Sequence, residues 1–527
     1  MRFTIIDCYT DEPAGLGVPP YIGTYPRYIG GAILQSQNEV NYLTIDDLRF
    51  FSSRIFHYKR NRESIVNQIR KIKQTLKTNI KIKNLSKNIQ RIERVLKKTD
   101  ILIVIAGIHT PGKYLAAVPG TTREVVQLLQ GINFNGFTIL TGPAAYLGSG
   151  LYGGKFARKL EHDLQNFDLI IKDLEYKIPQ LIKNRFSEDP EYEFSYNDLS
   201  SIATTGAQIV QQHPDYPDFL IAELETSKGC PRKPGCSFCT EPLKANTIIR
   251  RSVKDILDEV EALSHVGIKN FRLGKQSCFY SYGTAAEIEK LLRGVKEKAE
   301  ILHIDNVNPT AVTIEKTKVI VKYCTEGNVA AFGVESFDRD VIKANHLNAD
   351  PETTYKAIEI LNKYGAERGP NGMPKFLPGL NILFGLINES KNTHNENMFW
   401  LKKILDSGLL LRRINIRQVV IFPGTYLAKE CGDKYIRKNK RYYWKWRNEI
   451  RQLIDVPMLK KIVPIGTIIK NIRTEIYDGN TTFGRQIGTY PLIIGIKKRV
   501  ELDKFIDVKV IDHMVRSVVA EQFSFER

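Results

Sequence analysis

Residues 226–242 read TSKGCPRKPGCSFCTEP and hold the single cluster among the chain's seven cysteines, Cys230, Cys236 and Cys239, at a C-x5-C-x2-C spacing. The other four, Cys8, Cys278, Cys324 and Cys431, stand alone, which in 527 residues argues against a disulfide framework. Soft, negatively charged sulfurs on a glycine-rich loop suit zinc or an iron–sulfur cluster. A structural zinc site needs a fourth ligand, and no nearby Cys or His is spaced to supply it. Three thiolates suit a [4Fe–4S] cluster with one iron left open. A three-cysteine zinc site and an accident of composition are the readings to set beside it.

Working outward, the loop follows an apolar run at residues 219–225 (FLIAELE) that reads as a strand. Downstream the pattern alternates: helix (SVKDILDEVEALSHVG), strand at 270–273, helix at 284–299, strand at 301–304. Further strands are expected at 329–334, 380–386 and 414–422. Six βα units in succession predict an α/β chain with a partial or full parallel (β/α) barrel over residues 217–430. Upstream, residues 3–7 (FTIID), 101–106 (ILIVIA) and 137–141 (FTILT) are short β-branched runs, and TTREVVQLLQGINF between the last two is helical in pattern. They predict a Rossmann-like layer over residues 1–150, with ligands at strand C-terminal ends.

Residues 54–98 interrupt that layer. Ile65, Ile69, Ile72 and Leu76, then Leu85, Ile89, Ile92 and Leu96, run at heptad-like spacing with a slip between, which predicts a helical hairpin insertion. Residues 151–216 read as a linker. Residues 431–463 form a basic aromatic helix, and the short strands of residues 464–527 predict a small β-barrel.

Apolar residues make up 42% and charged residues 26%, as in ordinary globular chains rather than disordered ones. The net charge is +19, of which residues 54–98 supply +13 and residues 434–451 supply +7, so the other 464 residues sum to −1. Two basic attachments on a near-neutral body point to a polyanionic partner if they face one cleft, and to solvated surface if they do not. No apolar run approaches a membrane span, and the N-terminus lacks the apolar stretch of a signal peptide, so a soluble cytoplasmic protein is expected, with no membrane partner.

The cysteine loop after a first barrel strand resembles that of the radical S-adenosylmethionine (radical SAM) enzymes, whose usual spacing is C-x3-C-x2-C. The resemblance implies that Cys230, Cys236 and Cys239 hold a [4Fe–4S] cluster, whose open iron binds S-adenosylmethionine and whose reduction yields a 5′-deoxyadenosyl radical. Phe238 matches the family's aromatic residue near the adenine. Residues 333–336 (GVES) resemble the segment after the fourth strand, which makes Glu335 and Ser336 cofactor contacts. Residues 384–390 (FGLINES) resemble the fifth-strand motif along the adenine. Residues 271–278 (FRLGKQSC) stand where the family has Gly-Gly-Glu, leaving Lys275 and Gln276 nearest the amino group. Residues 303–309 (HIDNVNP) bring Asp305, Asn306 and Asn308 to a strand end, with Asn306 a further candidate contact.

Nearly the whole chain resembles an archaeal subgroup of these enzymes with a cobalamin-binding-like N-terminal domain, through VPPYIGTYPRYIGGAI, GCSFCTEP, FRLGKQ, HIDNVNP and FGRQIGTYP. The helix–hairpin–helix of those relatives does not appear here. Histidine-ligated cobalamin enzymes show Asp-x-His-x-x-Gly after an early strand. Here Asp7-Cys8-Tyr9 stands there, and His109 in GIHTPG lacks that context, so cobalamin is the lesser alternative. The terminal barrel resembles the TRAM domain of tRNA methylthiotransferases. Those enzymes also carry a second three-cysteine cluster, which Cys8 alone cannot supply, so methylthiolation is not expected.

With Tyr442, Tyr443, Trp444 and Trp446 taken as exposed rings, the basic helix suits backbone contact and base stacking. The alternative is a helix packing those rings against the barrel. The resulting expectation is a radical SAM enzyme acting on a large substrate, RNA before protein, with a reductant such as ferredoxin. The competing readings are a nucleic-acid-binding protein with a structural metal and a cobalamin-dependent radical SAM methyltransferase.

Overall fold

A computed structural model describes all residues except 13–14, 58–81, 108–114, 116, 149–152, 158–164, 246 and 525–527. The described chain divides into two compact units. One comprises residues 1–152, 157–224 and 254–271; the other comprises residues 153–156, 225–253 and 272–527.

The first unit is built on a five-stranded parallel sheet in the order Glu39–Thr44, Arg2–Asp7, Ile101–Ile105, Phe137–Thr141, Leu169–Ile170. Ile101–Ile105 is ILIVI and buried throughout, as a central parallel strand covered on both faces should be. Thr122–Gly131 is the expected crossover helix, and the Thr121 hydroxyl caps it by accepting from the Glu124 N–H. The two edge strands lack an apolar run, and periodicity alone did not mark them.

Two expectations change here. The stretch taken as a linker, residues 151–216, supplies the edge strand Leu169–Ile170 and the helices Leu174–Lys183 and Leu199–Gly206, which pack on the helix Thr24–Gln35. Its apolar residues Leu174, Ile178, Leu181, Leu199 and Ile202 are buried, so it belongs to the core. Of the expected hairpin at 54–98, residues 58–81 lie outside the described residues. The second arm does not project: Leu85, Ile89, Ile92 and Leu96 are buried, and only Ile92–Lys98 is α-helical. Those apolar residues serve the α/β layer rather than a hairpin seam.

The βα alternation expected over residues 217–430 is present. Strands Ile221–Glu225, Asn270–Gly274, Ile301–Ile304, Asn328–Glu335, Phe376–Phe384 and Arg413–Gln418 alternate with helices Val253–His265, Ala285–Lys296, Ile314–Tyr323, Pro351–Gly365 and Lys391–Asp406. The division between units falls within the first two strands. In the second unit, Asn306–Val307, Asn328–Glu335, Phe376–Phe384 and Arg413–Gln418 pair in that order as one parallel sheet.

Residues 464–527 contain a closed five-stranded barrel, with Ile468–Asp478, Thr481–Gln486, Ile493–Ile496, Ser517–Phe523 and Phe505–His513 as neighbours. Its first strand, Ile468–Asp478, is long, and its pairing shifts register between Ile469 and Ile472, where Asn471 takes φ 55°. The helix Lys434–Ile450 forms, but its rings are not an exposed row. Tyr443 and Trp446 are buried, Trp446 stacking on His394 at 5.2 Å and on Phe384 at 5.8 Å, and Tyr442 covers Trp446 at 5.3 Å. Only Trp444 stands out, 67% exposed. The helix therefore packs two of its rings inward, against the strand Phe376–Phe384 and the helix Lys391–Asp406. Among the described residues no helix is long and apolar enough to cross a membrane.

Candidate metal and cofactor site

Gly229, just before Cys230, has φ +81°, and a Cβ there would meet the Thr247 carbonyl oxygen at 2.4 Å. Only glycine lets the chain make this turn. The two residues by which the loop exceeds the family spacing are pinned by Arg232. Its Nη1 donates to Cys236 Sγ at 3.0 Å, and its Nη2 donates to the carbonyls of His346 at 2.6 Å and Leu347 at 3.0 Å. Ser237 is clasped by Asn345: its Oγ donates to Asn345 Oδ1 at 2.7 Å and its N–H to the Asn345 carbonyl at 2.9 Å. Asn345 Nδ2 in turn donates to the carbonyls of Val341 and Ile387. Cys236 and Phe238 pack against the apolar cluster of Val341, Leu347, Leu386 and Leu427.

Burial pushes the Cys236 thiol up to about 11, with Glu335 adding to the effect and Arg232 opposing it. The Cys239 thiol is pushed higher still by burial, then by Glu241 and Cys236. Each of these two thiols feels Cys230, so the three sulfurs form one electrostatic group. No set of three His, Cys, Asp or Glu side chains already converges at metal-binding distance among the described residues. Burial keeps the Cys239 thiol protonated, and the Cys236 thiol too despite Arg232 beside it; a bound cation would ionise both. Two sulfurs already receive N–H donors, from Arg232 and from the Glu241 backbone at 3.4 Å. Such donors surround cluster thiolates and set their potential. The donor set fits an iron–sulfur cluster with three protein ligands.

Glu335 closes the strand Asn328–Glu335 with φ 64°, and burial pushes its carboxyl up to about 7 against the pull of Arg417. It acts on Cys236, which brings it into the electrostatic range of the thiols. The remaining candidates are more occupied. Gln276 is buried, accepts from Thr226 Oγ1 at 3.2 Å and donates to the Leu273 carbonyl at 3.1 Å. Asn306 Nδ2 donates to the Gln276 carbonyl at 3.2 Å. Ser336 Oγ accepts from the Asp338 N–H at 3.1 Å, a turn ahead of the helix Arg339–Ala344. Lys275, φ 56°, reaches Glu225 Oε2 at 3.6 Å. Gln276 and Asn306 are therefore brought together, while Ser336 is engaged by its own turn. Sequence spacing does not mark Arg417 and Asn345, whose partners are far away in the chain, nor the anchoring of Arg232 on His346 and Leu347; only its contact with Cys236, four residues on, is local.

The Radical SAM superfamily model matches residues 224–389. An uncharacterized protein of Methanocaldococcus jannaschii is 41% identical over 99% of this chain and 93% of its own length. The chain belongs to the radical SAM superfamily. A ribosomal protein uS12 methylthiotransferase of Bacteroides thetaiotaomicron is 23% identical over 55% of this chain and 65% of its own length. The cobalamin-dependent S-adenosylmethionine radical enzyme OxsB matches in structure with a TM-score of 0.50 and 14% identity, over 84% of this chain and 56% of that one. At that identity the likeness concerns fold alone.

The radical SAM assignment brings a [4Fe–4S] cluster and S-adenosylmethionine as cofactors. A histidine-ligated cobalamin finds no ligand at the end of the strand Arg2–Asp7. Asp7 accepts from the Tyr9 N–H at 2.8 Å and the Tyr42 hydroxyl at 3.0 Å, and Cys8 is fully buried with its thiol pushed well up by burial. His109 lies outside the described residues.

Proposed function

We propose that Cys230, Cys236 and Cys239 hold the [4Fe–4S] cluster of a radical SAM enzyme whose substrate is a large molecule, RNA before protein. The observation that carries this is the pinned three-sulfur loop directly after a βα strand, with N–H donors already aimed at two sulfurs. When bound and reduced, the cluster supplies the electron that cleaves S-adenosylmethionine to a 5′-deoxyadenosyl radical.

The chain's own residues prepare that site. Asn345 and Arg232 hold the loop in shape, and Phe238, packed against the same apolar cluster as Cys236, is the aromatic residue for the adenine. Glu335, with a carboxyl near 7, and the Gln276–Asn306 pair are the polar groups for the cofactor's amino and ribose positions. The exposed basic face of the helix Lys434–Ile450 is the contact for a polyanionic substrate. Methylthiolation is not proposed, since Cys8, Cys278, Cys324 and Cys431 stand singly.

Anaerobic reconstitution with iron and sulfide, followed by dithionite and S-adenosylmethionine, should give about four irons per chain and 5′-deoxyadenosine. Replacing any of the three cysteines by alanine should abolish both. A fully loaded protein that forms no 5′-deoxyadenosine sinks the reading. One zinc per chain would favour the structural-metal alternative.

A further inference from the structure

In the parallel sheet of the second unit, Gly379 and Asn381 pair with Arg413 and Asn415 of the next strand. Together with Arg417 and Tyr490 these residues line a small cavity. The strand Arg413–Gln418 divides by its period of two: Ile414 and Ile416 are buried apolar residues, while Arg413, Asn415 and Arg417 belong to the cavity. Gly379 makes the room, because a Cβ there would come within 2.9 Å of Arg413 Cγ.

Arginines outnumber carboxylates around this cavity: Arg412 and Arg516 act on Arg413 or its neighbours and, like it, form no ion pair among the described residues. Arg272 pairs with Asp305, whose other oxygen accepts from the Tyr490 hydroxyl at 2.8 Å. Arg451 pairs with Asp455, and Arg417 has Glu335 as its electrostatic partner. Arg413 lies over the Tyr490 ring at 4.3 Å and feels Asp305, a carboxylate already engaged by Arg272 and Tyr490; among the described residues it forms no ion pair or hydrogen bond of its own. Asn415 Nδ2 donates to Asn381 Oδ1 at 3.0 Å and Asn415 Oδ1 accepts from Arg417 Nε at 3.3 Å, which leaves the Asn381 amide N–H groups as donors at the cavity. A desolvated guanidinium with no ion pair of its own is costly to the folded chain, and its fork of donors matches an oxyanion.

We infer that Arg413 and Asn381 form a binding site for an oxyanion, a carboxylate or a phosphate, by which the substrate is anchored in this cavity. In naming the substrate's anchoring group, the inference rests on the enzyme reading above. Arg413 precedes Arg417, the electrostatic partner of Glu335, by four residues, about 13 Å of strand, which sets the anchor back along the sheet from Glu335. A cavity of this size takes a single anionic group and not a stretch of backbone.

The test uses the full chain as purified, before cluster loading. Melting is followed in sodium phosphate, in sodium succinate and in sodium chloride of matched ionic strength. Wild type should gain several degrees in phosphate, succinate or both, and Arg413→Met should lose that gain while melting in chloride no lower than wild type. Arg413→Lys should recover part of the response, and Asn381→Leu should weaken it. A response to phosphate alone assigns a phosphorylated substrate group; a response to succinate alone assigns a carboxylate. No response in wild type, or an undiminished one in Arg413→Met, overturns the proposal. So does a loss of S-adenosylmethionine affinity in reconstituted Arg413→Met, which would give the arginine to the cofactor. Because the anion response needs no cluster, it stands or falls separately from 5′-deoxyadenosine formation.

Discussion

Asp7 ends the strand Arg2–Asp7 with its carboxyl held by the Tyr9 N–H and the Tyr42 hydroxyl, and burial outweighs both, pushing it up to about 7. The unfolded chain releases that proton near 3.8, so between about pH 4 and 7 the native state binds more protons than the unfolded one. Stability attributable to this group therefore falls as pH rises through that window, by on the order of 4 kcal/mol across it. Asp7→Asn should melt higher than wild type at pH 8 and show little or no gain at pH 4. A pH-independent difference would mean that Asp7 does not titrate in this range. At this scale the sequence was informative where chemistry is local. Cys230, Cys236, Cys239 and Phe238 lie within ten residues and could be read together. Asn345 could not, because it acts on Ser237 from 108 residues away through a clasp that no spacing rule describes.

Among the elements, the helix Thr24–Gln35 shows what the segment YIGTYPRYIGGAI does. Arg27 and Glu259 are both fully buried and paired, and Arg27 also donates to the Glu223 carbonyl on the strand that leads into the cysteine loop. Tyr28 adds a hydroxyl to Glu259 at 3.3 Å, and Glu223 itself accepts from the Leu16 N–H at about 2.9–3.0 Å. Removing one member of such a pair strands the other charge, a cost of about 3–5 kcal/mol, whereas replacing both with apolar groups is often neutral. Arg27→Met should therefore lower the melting temperature of the full chain sharply, and Arg27→Met with Glu259→Leu should recover most of the loss. A double variant as unstable as the single one would show that the pair is not the source. The segment was legible as a shared motif but not as a mechanism, since Glu223 and Glu259 follow some two hundred residues later. Central strands with apolar runs were readable for the same physical reason that edge strands were not: Glu39–Thr44 and Leu169–Ile170 bury too little surface to leave a periodic pattern.

For the molecule as a whole, the charge of +19 gathers in two stretches, and one of them, residues 434–451, is described in full. Its aromatic residues separate by role: Trp446 and Tyr443 hold the helix to its unit, which leaves Trp444 outside with Arg447 over its ring at 5.3 Å. On the same helix, Lys434, Arg437, Lys438, Lys440, Arg441 and Lys445 are exposed. Contacts of this kind to single-stranded RNA release counterions, so affinity should fall with salt, by about 0.7 in the log–log slope for each phosphate neutralised. Changing Lys434, Arg437, Lys440 and Arg441 to glutamine should flatten that slope by up to roughly 3, and measurement of RNA binding across a salt series reads it directly. Trp444→Ala removes a stacking platform and not a charge, so it should weaken binding by about 1–3 kcal/mol at every salt concentration and leave the slope unchanged. The two variants thus move different parameters of one titration. If the glutamine variant keeps the wild-type slope, the helix is only a solvated face, and the substrate is to be sought among molecules without a phosphate backbone.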